Sequence, residues 1–194
     1  MPSTVSLANR LIDHFTDNPG ELPRDVTLVV VPNANPDAPY APGTREGRLN
    51  ANGVDLNRNW DCSWTANAVW RDKPVSGGSA PFSEPETQAL SALFFSDRAA
   101  LVVFFEAKME NGMVTAGGCS GVDPDSQRYA TLYGTSAGYP VEEWSAYVVN
   151  GDATNWLEQQ GIPAISVLLL DYESVDWSNN LRAVRSVLHA ASEE

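Results

Sequence analysis

The sequence has little positive charge, little histidine, little cysteine and no long apolar run, and each shortage excludes something. Only two of its 194 residues are lysines, Lys73 and Lys108, and twelve lysines and arginines face twenty-five aspartates and glutamates for a net charge of −13. Nucleic acid and anionic lipid surfaces are bound by clustered cations, so neither is expected as a partner. No run of eighteen apolar residues is present to span a bilayer. Cys62 and Cys119 permit one disulfide but make no metal motif, and sequence does not say whether they meet. His14 and His189 fall on segments with helical patterning, where a solvated or capping role is the ordinary one. No basic segment followed by an apolar one comes after Met1, so the chain as encoded is expected in the cytoplasm. Nor is there a long polar linker, a repeat or a low-complexity tract, and residues 1–194 read as a single domain.

What is present is an alternation of helical and strand patterns. Ala8, Leu11, Ile12 and Phe15 share one helical face over residues 3–16, with Ser3 or Thr4 as N-cap and Asn18-Pro19-Gly20 as the stop. Residues 26–31, a largely β-branched run ended by Pro32, predict a strand buried on both faces. From 32 to about 79 the chain is rich in Pro, Gly, Asn and Asp, and ordered loops of that length are usually functional. Ser83-Glu84-Pro85-Glu86 reads as a capping box opening a helix through Leu90, Leu93 and Phe94. Residues 100–105 predict a second buried strand running into Glu106. A short strand over 112–116 and a helix over 125–137, closed by Gly138, follow. Then come a helix over 152–160 with Gly161 at its end and a very apolar strand over 164–170. A final helix, capped by Asp176 or Ser178, carries Leu181, Val184, Val187 and Leu188 on one face. Apolar strands separated by helices predict a three-layer α/β/α sandwich around a mixed, largely parallel sheet. Sites in such sheets form in loops beyond the carboxyl ends of the strands.

Within the long loop, Asn52-Gly53-Val54-Asp55-Leu56-Asn57-Arg58-Asn59-Trp60 sets an arginine between two asparagines. Asn-Gly favours a turn, and several amides compete there for backbone hydrogen bonds, so the segment presents donors. A planar guanidinium flanked by amides suits a carboxylate. A satisfied surface turn is the ordinary reading of a lone Asn-Arg-Asn; the neighbouring motifs favour the carboxylate clamp.

Those motifs are Pro32-Asn33-Ala34-Asn35-Pro36-Asp37, Ser83-Glu84-Pro85-Glu86-Thr87, the stretch 106–113, Gly151-Asp152-Ala153-Thr154-Asn155-Trp156 and Gly161-Ile162-Pro163-Ala164. In order and approximate spacing, from about residue 3 to the C-terminus, the chain resembles the zinc carboxypeptidases of the carboxypeptidase A type. The resemblance implies a metallopeptidase, a hydrolase in which zinc-bound water attacks a peptide carbonyl beside a glutamate base. It sets Asn57 and Arg58 on the clamp for the substrate's terminal carboxylate. Arg48, or less closely Arg45, falls near the arginine that polarises the scissile carbonyl. Tyr147, otherwise a packed aromatic, falls on a mobile tyrosine, and Thr154 on the floor of the side-chain pocket, a small polar floor that names no preferred residue.

The catalytic half departs from the family pattern. The first two zinc ligands of the family lie just before a Pro-Ser helix start, here Pro2-Ser3, so that segment and its strand lie outside residues 1–194. The third ligand, a histidine, is replaced by Glu106, and the general-base glutamate by Leu168. Glu106 reads either as a lone metal ligand completed from outside the chain or as a buried acid paired with Arg58, Arg48 or Lys108; the paired acid is favoured. Lys108 beside apolar surface is a lesser candidate nucleophile. Scaffold motifs kept beside changed catalytic positions point to a remodelled site. Zinc is therefore expected to be absent or weakly bound and peptidase activity weak or absent, with a peptide C-terminus or small carboxylate as ligand. The alternatives are a non-catalytic binding module, an engineered scaffold, and an active metallocarboxypeptidase whose missing ligands come from outside the chain. Without the strand before Pro2 the sheet is expected to have a gap through which chains self-associate. Members of this family are often secreted, against the cytoplasmic expectation above.

Overall fold

The most apolar stretch of the chain sets the centre of the fold. All six positions of strand β5 (Ala164–Leu169) are buried, as in a strand covered on both faces. The computed structural model describes residues 2–96 and 98–193. In it β5 lies between β3 (Val102–Ala107), which runs parallel to it, and β4 (Met113–Ala116), which runs antiparallel. Side chains alternate between the two faces of this mixed sheet. Ile165, Val167 and Leu169 pack toward α1 (Ser3–Asp17), α3 (Pro124–Ala137) and α5 (Trp177–Ala191), which contribute Leu7, Leu11, Tyr129, Tyr133, Val184 and Val187. Val102 and Ala164 pack on the other face with Phe94 of α2 (Pro85–Ser96), Trp156 and Leu157 of α4 (Ala153–Gln159), and Trp60. Helices on both faces of a mixed sheet make the expected three-layer sandwich. Full burial of each such aliphatic side chain contributes about 1.5–3 kcal/mol, so these two apolar layers dominate the stability. Among the described residues no helix is long and apolar enough to cross a membrane.

Several local expectations are corrected. Residues 26–30 adopt no strand: half-buried Val26, Leu28 and Val30 alternate with exposed Thr27 and Val29, and Val29 and Val31 are 50% and 43% exposed. β-Branched side chains favour extended backbone, but a strand needs a ladder partner, and no ladder or bridge includes this segment among the described residues. One face only reaches the core, through Val26 and Leu28. At the start of α1 the N-cap is Pro2, and Ser3 instead donates to the Asp171 carbonyl. The long loop holds an unforeseen antiparallel hairpin, β1 (Asn67–Trp70) and β2 (Lys73–Ser76). Its two-residue turn places Arg71 at φ 59°, a conformation that Asn or Gly would have signalled and Arg does not.

The capping box is also replaced by another arrangement. Ser83 Oγ donates to Glu84 (2.7 Å) and accepts from the Asn59 side chain rather than from an N–H of the first turn of α2, and the Glu84 carboxylate accepts from the side-chain amides of Asn50 and Asn52, both at 2.8 Å. Burial opposes the charge of Glu84, yet these three donors outweigh it and hold its pKa below the ordinary value. Asn59, fully buried, completes the junction. Its Nδ2 donates to the carbonyls of Gly77 and Ala80 and to Ser83 Oγ, while its Oδ1 accepts from the Glu84 N–H and from Thr87 Oγ1. The asparagine loop and the first turn of α2 are thus one hydrogen-bonded unit, which accounts for the joint appearance of their two motifs.

Removing the Asn59 amide leaves several buried polar groups unpaired, each worth about 1–3 kcal/mol. Asn59→Ala is therefore expected to lower unfolding stability by about 3 kcal/mol or more in denaturant titration. A loss below about 0.5 kcal/mol would show that the junction is not a structural keystone.

Candidate functional site

The asparagine loop, the end of β3, the floor of β5 and the start of α4 converge on one open cavity of about 470 Å³. Arg58, on the short 3-10 turn Leu56–Arg58, is 1% exposed. Its Nε donates to the Val69 carbonyl (3.1 Å) and its Nη1 to the Asn57 carbonyl, while Nη2 makes no hydrogen bond among the described residues. No carboxylate pairs with it among those residues. Asn57 accepts the Ala153 N–H at its Oδ1 (3.2 Å), which aims the side chain at the start of α4. Gly151 lets the two segments approach: at φ +65° it stands where a Cβ would come within 2.5 Å of the Arg58 carbonyl oxygen. Backbone hydrogen bonds of Gly151 to Trp60 (3.0 Å) and Cys62 (2.7 Å) fix the approach. Cys62 and Cys119 do meet, in a disulfide with Cα atoms 5.8 Å apart that ties this loop to the one following β4.

Arg48 reaches the same cavity and Arg45 does not; Arg45 donates instead to the Pro74 carbonyl. Arg48 forms a two-point bridge with buried Asp55, 2.6 Å from Nε and 3.1 Å from Nη2, and lies 5.0 Å from the centre of the Trp70 ring. Burial works against the Arg48 charge, but Asp55, aided by Glu106 and Tyr147, more than restores it and raises the pKa. Tyr147 lines the cavity from the irregular 142–150 segment, its ring edge-on to Trp144 at 5.2 Å. Thr154 and Ser166, both buried, form the floor with their hydroxyl oxygens 2.7 Å apart.

Glu106 and Leu168 are ladder partners across β3 and β5, and both border the cavity. The expected pairing of Glu106 is not found: it is half-buried and forms no ion pair with Arg58, Arg48 or Lys108. The cations are directed elsewhere, Arg48 to Asp55, Arg58 to backbone carbonyls, and exposed Lys108 toward the Tyr172 ring, 5.7 Å from its centre. His14 and His189 lie on α1 and α5, away from the cavity, and His14 is bonded to Glu21 at 2.8 Å rather than solvated. Among the described residues no three His, Cys, Asp or Glu side chains converge. Protein zinc centres use three or four such ligands. Asp55 is committed to Arg48 and Asp152 to the α4 cap, so the donors present do not by themselves fit zinc.

Sequence reasoning overlooked Asp55, Asp152 and Ser166. Ser166 has a signal in hindsight, a lone hydroxyl inside an otherwise apolar strand. Asp152 reads as an ordinary helix cap, accepting the Asn155 N–H at 3.0 Å, and nothing in the sequence marks its second position on the cavity wall.

Burial pushes the Asp152 carboxyl up to about 6; the Asn155 N–H pulls the other way, and Glu106 adds to the rise. The unfolded chain releases this proton near 3.8 and the folded chain near 6, so its contribution to stability is complete below 3.8 and is lost as pH rises through 6. Asn caps a helix as well as Asp. Relative to wild type, Asp152→Asn is expected to gain up to about 3 kcal/mol in unfolding stability between pH 4 and pH 8. A stability difference that stays constant with pH would contradict this burial effect.

Comparison with known proteins agrees with the fold and with the motifs. The sequence model of the zinc carboxypeptidase family matches residues 2–116. Murein peptide amidase A of Escherichia coli K12 is 44% identical over 68 residues, 30% of this chain and 28% of the amidase. The crystal structure of carboxypeptidase A from Helicoverpa armigera superposes with a TM-score of 0.77 at 18% identity, over 98% of this chain and 58% of that one. That of murein-tripeptide amidase MpaA from Escherichia coli O157 superposes with a TM-score of 0.57 at 24% identity, over 84% and 65%. The chain thus spans less than two thirds of each of these relatives. With the family match extending over more than half of its residues, the chain belongs to the zinc carboxypeptidase family.

Proposed function

We propose that this chain is a recognition domain of the zinc carboxypeptidase family, which holds the terminal carboxylate of a peptide on Arg58 and Asn57 and hydrolyses it weakly or not at all. One observation carries the reading: Arg58 is a buried guanidinium on a cavity wall without a carboxylate partner among the described residues. A buried charge left so is unfavourable until an anion arrives. The fork geometry of the guanidinium suits the two oxygens of a carboxylate, and the Asn57 amide offers a further donor. Arg48, held by Asp55, supplies positive potential on the same wall. Thr154 and Ser166 meet the side chain of the bound residue.

Weak hydrolysis follows from two positions. Leu168 has no group that accepts a proton, and Glu106 is one carboxylate where a zinc centre needs several ligands. Ligands supplied from outside residues 1–194 would restore a metal but not the base. The name of the amidase relative adds murein peptides to the ligand classes worth testing. The Cys62–Cys119 disulfide supports an oxidising compartment rather than the cytoplasm as the place where the site works.

Calorimetric titration with N-acetylalanine is expected to show saturable binding that the methyl ester loses by about tenfold or more, with a similar loss in Arg58→Ala. Equal affinity for acid and ester would overturn the clamp without any change to the protein. Turnover of an N-blocked dipeptide at about 1 per second or faster with stoichiometric zinc would replace the binding reading with a peptidase.

A further inference from the structure

The disulfide joins two segments that have no regular structure. Cys62 stands in the irregular stretch 61–66 after the asparagine loop, and Cys119 in the irregular stretch 117–123 after β4. Helix α4 lies between them and is held at both ends. Before its first turn the Gly151 N–H donates to the Cys62 carbonyl at 2.7 Å, and near its last turn the Glu158 carboxylate accepts the Cys119 N–H at 3.0 Å. The Asn155 side chain accepts the Gly118 N–H at 2.8 Å. Hydrogen bonds thus run from Cys62 to α4 and from α4 to Cys119, and the S–S bond closes them into a ring. The start of α4, which brings Asp152 and Thr154 to the cavity wall, is part of that ring.

Opening the ring has local consequences. Cys62 packs with Trp60, Trp156 and Leu157, and Cys119 lies against the same cluster, on one face of the sheet. The larger cluster on the other face, between β5 and helices α1, α3 and α5, contains neither cysteine. Breaking the bond therefore removes a constraint from one face and leaves the other core in place. A cross-link restricts a chain more as the loop it closes lengthens, and this one spans 57 positions. Without it the two irregular segments are tied to α4 by hydrogen bonds whose net contributions are small, and a helix of 7 residues has little stability of its own. Cys119 is half-buried whereas Cys62 is 3% exposed, so a thiol reaches the bond from the Cys119 side.

We infer that the Cys62–Cys119 disulfide is a redox switch for the order of α4 and of the cavity wall at 117–122. A thiolate of a dithiol reductant attacks the Cys119 sulfur, the S–S bond breaks, and Cys62 leaves as a thiolate that takes up a proton. The second thiol of the reductant then displaces Cys119, so the reductant ends as a disulfide and the protein as two thiols, a transfer of two electrons. Reducing surroundings loosen the α4 side of the cavity, and oxidising surroundings set it. Where the inference concerns ligand binding it rests on the carboxylate clamp proposed above; where it concerns the order of α4 it does not.

The test is hydrogen exchange read by mass spectrometry on the oxidised chain, on the chain held in dithiothreitol, and on a variant carrying both Cys62→Ala and Cys119→Ala, with alkylation confirming two free thiols after reduction. Amides of 117–122 and 151–160 are expected to exchange at least about tenfold faster in the reduced and alanine forms, while α3 and α5 keep their protection. Reoxidation is expected to restore slow exchange in wild type and not in the alanine form. Affinity for N-acetylalanine, measured by calorimetry, is expected to fall at least about tenfold on reduction. Unchanged exchange in the reduced chain overturns the inference, and so does acceleration that extends through α3 and α5, which would make the bond a staple of the whole fold. Local acceleration with unchanged affinity overturns the control of binding, whereas local acceleration in a chain that binds no N-acetylalanine even when oxidised overturns the clamp and upholds the switch.

Discussion

The buried amide of Asn59 is the interaction on which the rest of the site depends. It donates to two carbonyls and a hydroxyl and accepts from a backbone N–H and a second hydroxyl, so both ends of one side chain are fully used. A carboxylate at this position would lose the three donated bonds and bring an unpaired charge into the interior; an aliphatic residue would lose all five. In a low-dielectric setting such a network is stiff when complete and costly when broken. Because Asn59 follows Arg58 directly, fixing the amide fixes the 3-10 turn that carries the guanidinium. The first turn of α2 enters the same unit through Glu84 and Thr87, and orientation in the cavity is transmitted from a helix that does not touch it.

Three further ties explain how an irregular loop holds a charged side chain in place. Gly151 brings the α4 approach within backbone contact of Arg58, the Asn57 amide caps that approach at Ala153, and the disulfide joins the loop to the wall after β4. None of these is regular secondary structure, and each would allow movement alone. Together they remove most of the freedom a loop of this length keeps, so the ordering entropy is met on folding rather than on ligand binding. The wall of the cavity is therefore fixed when the chain folds. Its positive and negative groups, Arg58 and Asp152, stand on segments fastened to each other.

How much of this was legible in the sequence follows from how local each feature is. Helices α3, α4 and α5 and strands β3 to β5 announce themselves through periodicity and end signals such as Gly138 and Gly161, which occupy left-handed conformations as read. Residues 26–31 misled because β-branched composition speaks for extended backbone, whereas a strand also needs a distant partner. The segment Ser83-Glu84-Pro85-Glu86 misled in a related way: its spacing fits a local capping box, but the asparagines that claim Glu84 lie some thirty residues earlier. The positions drawn from the family resemblance, Arg48, Asn57, Arg58, Glu106, Tyr147, Thr154 and Leu168, all border one cavity. The choice of Arg48 over Arg45 and the isolation of Glu106 were decided by Asp55 and by the direction of Lys108, which spacing along the chain does not encode.

The residues lining the cavity rest on two different parts of the fold. Arg58 and Asn57 are held by Asn59, Gly151 and the start of α4, all loop or helix-end features. Glu106 and Leu168 are carried by the ends of β3 and β5, where they are direct ladder partners. Substituting a strand-end side chain changes what lines the cavity without touching any hydrogen bond that orients Arg58. A leucine there is no perturbation to the fold, because β5 is buried along its whole length and apolar apart from Ser166, and a hydrocarbon side chain suits that setting better than a carboxylate does. The leucine at this position thus suits its strand, while the supports of Arg58 lie elsewhere in the fold.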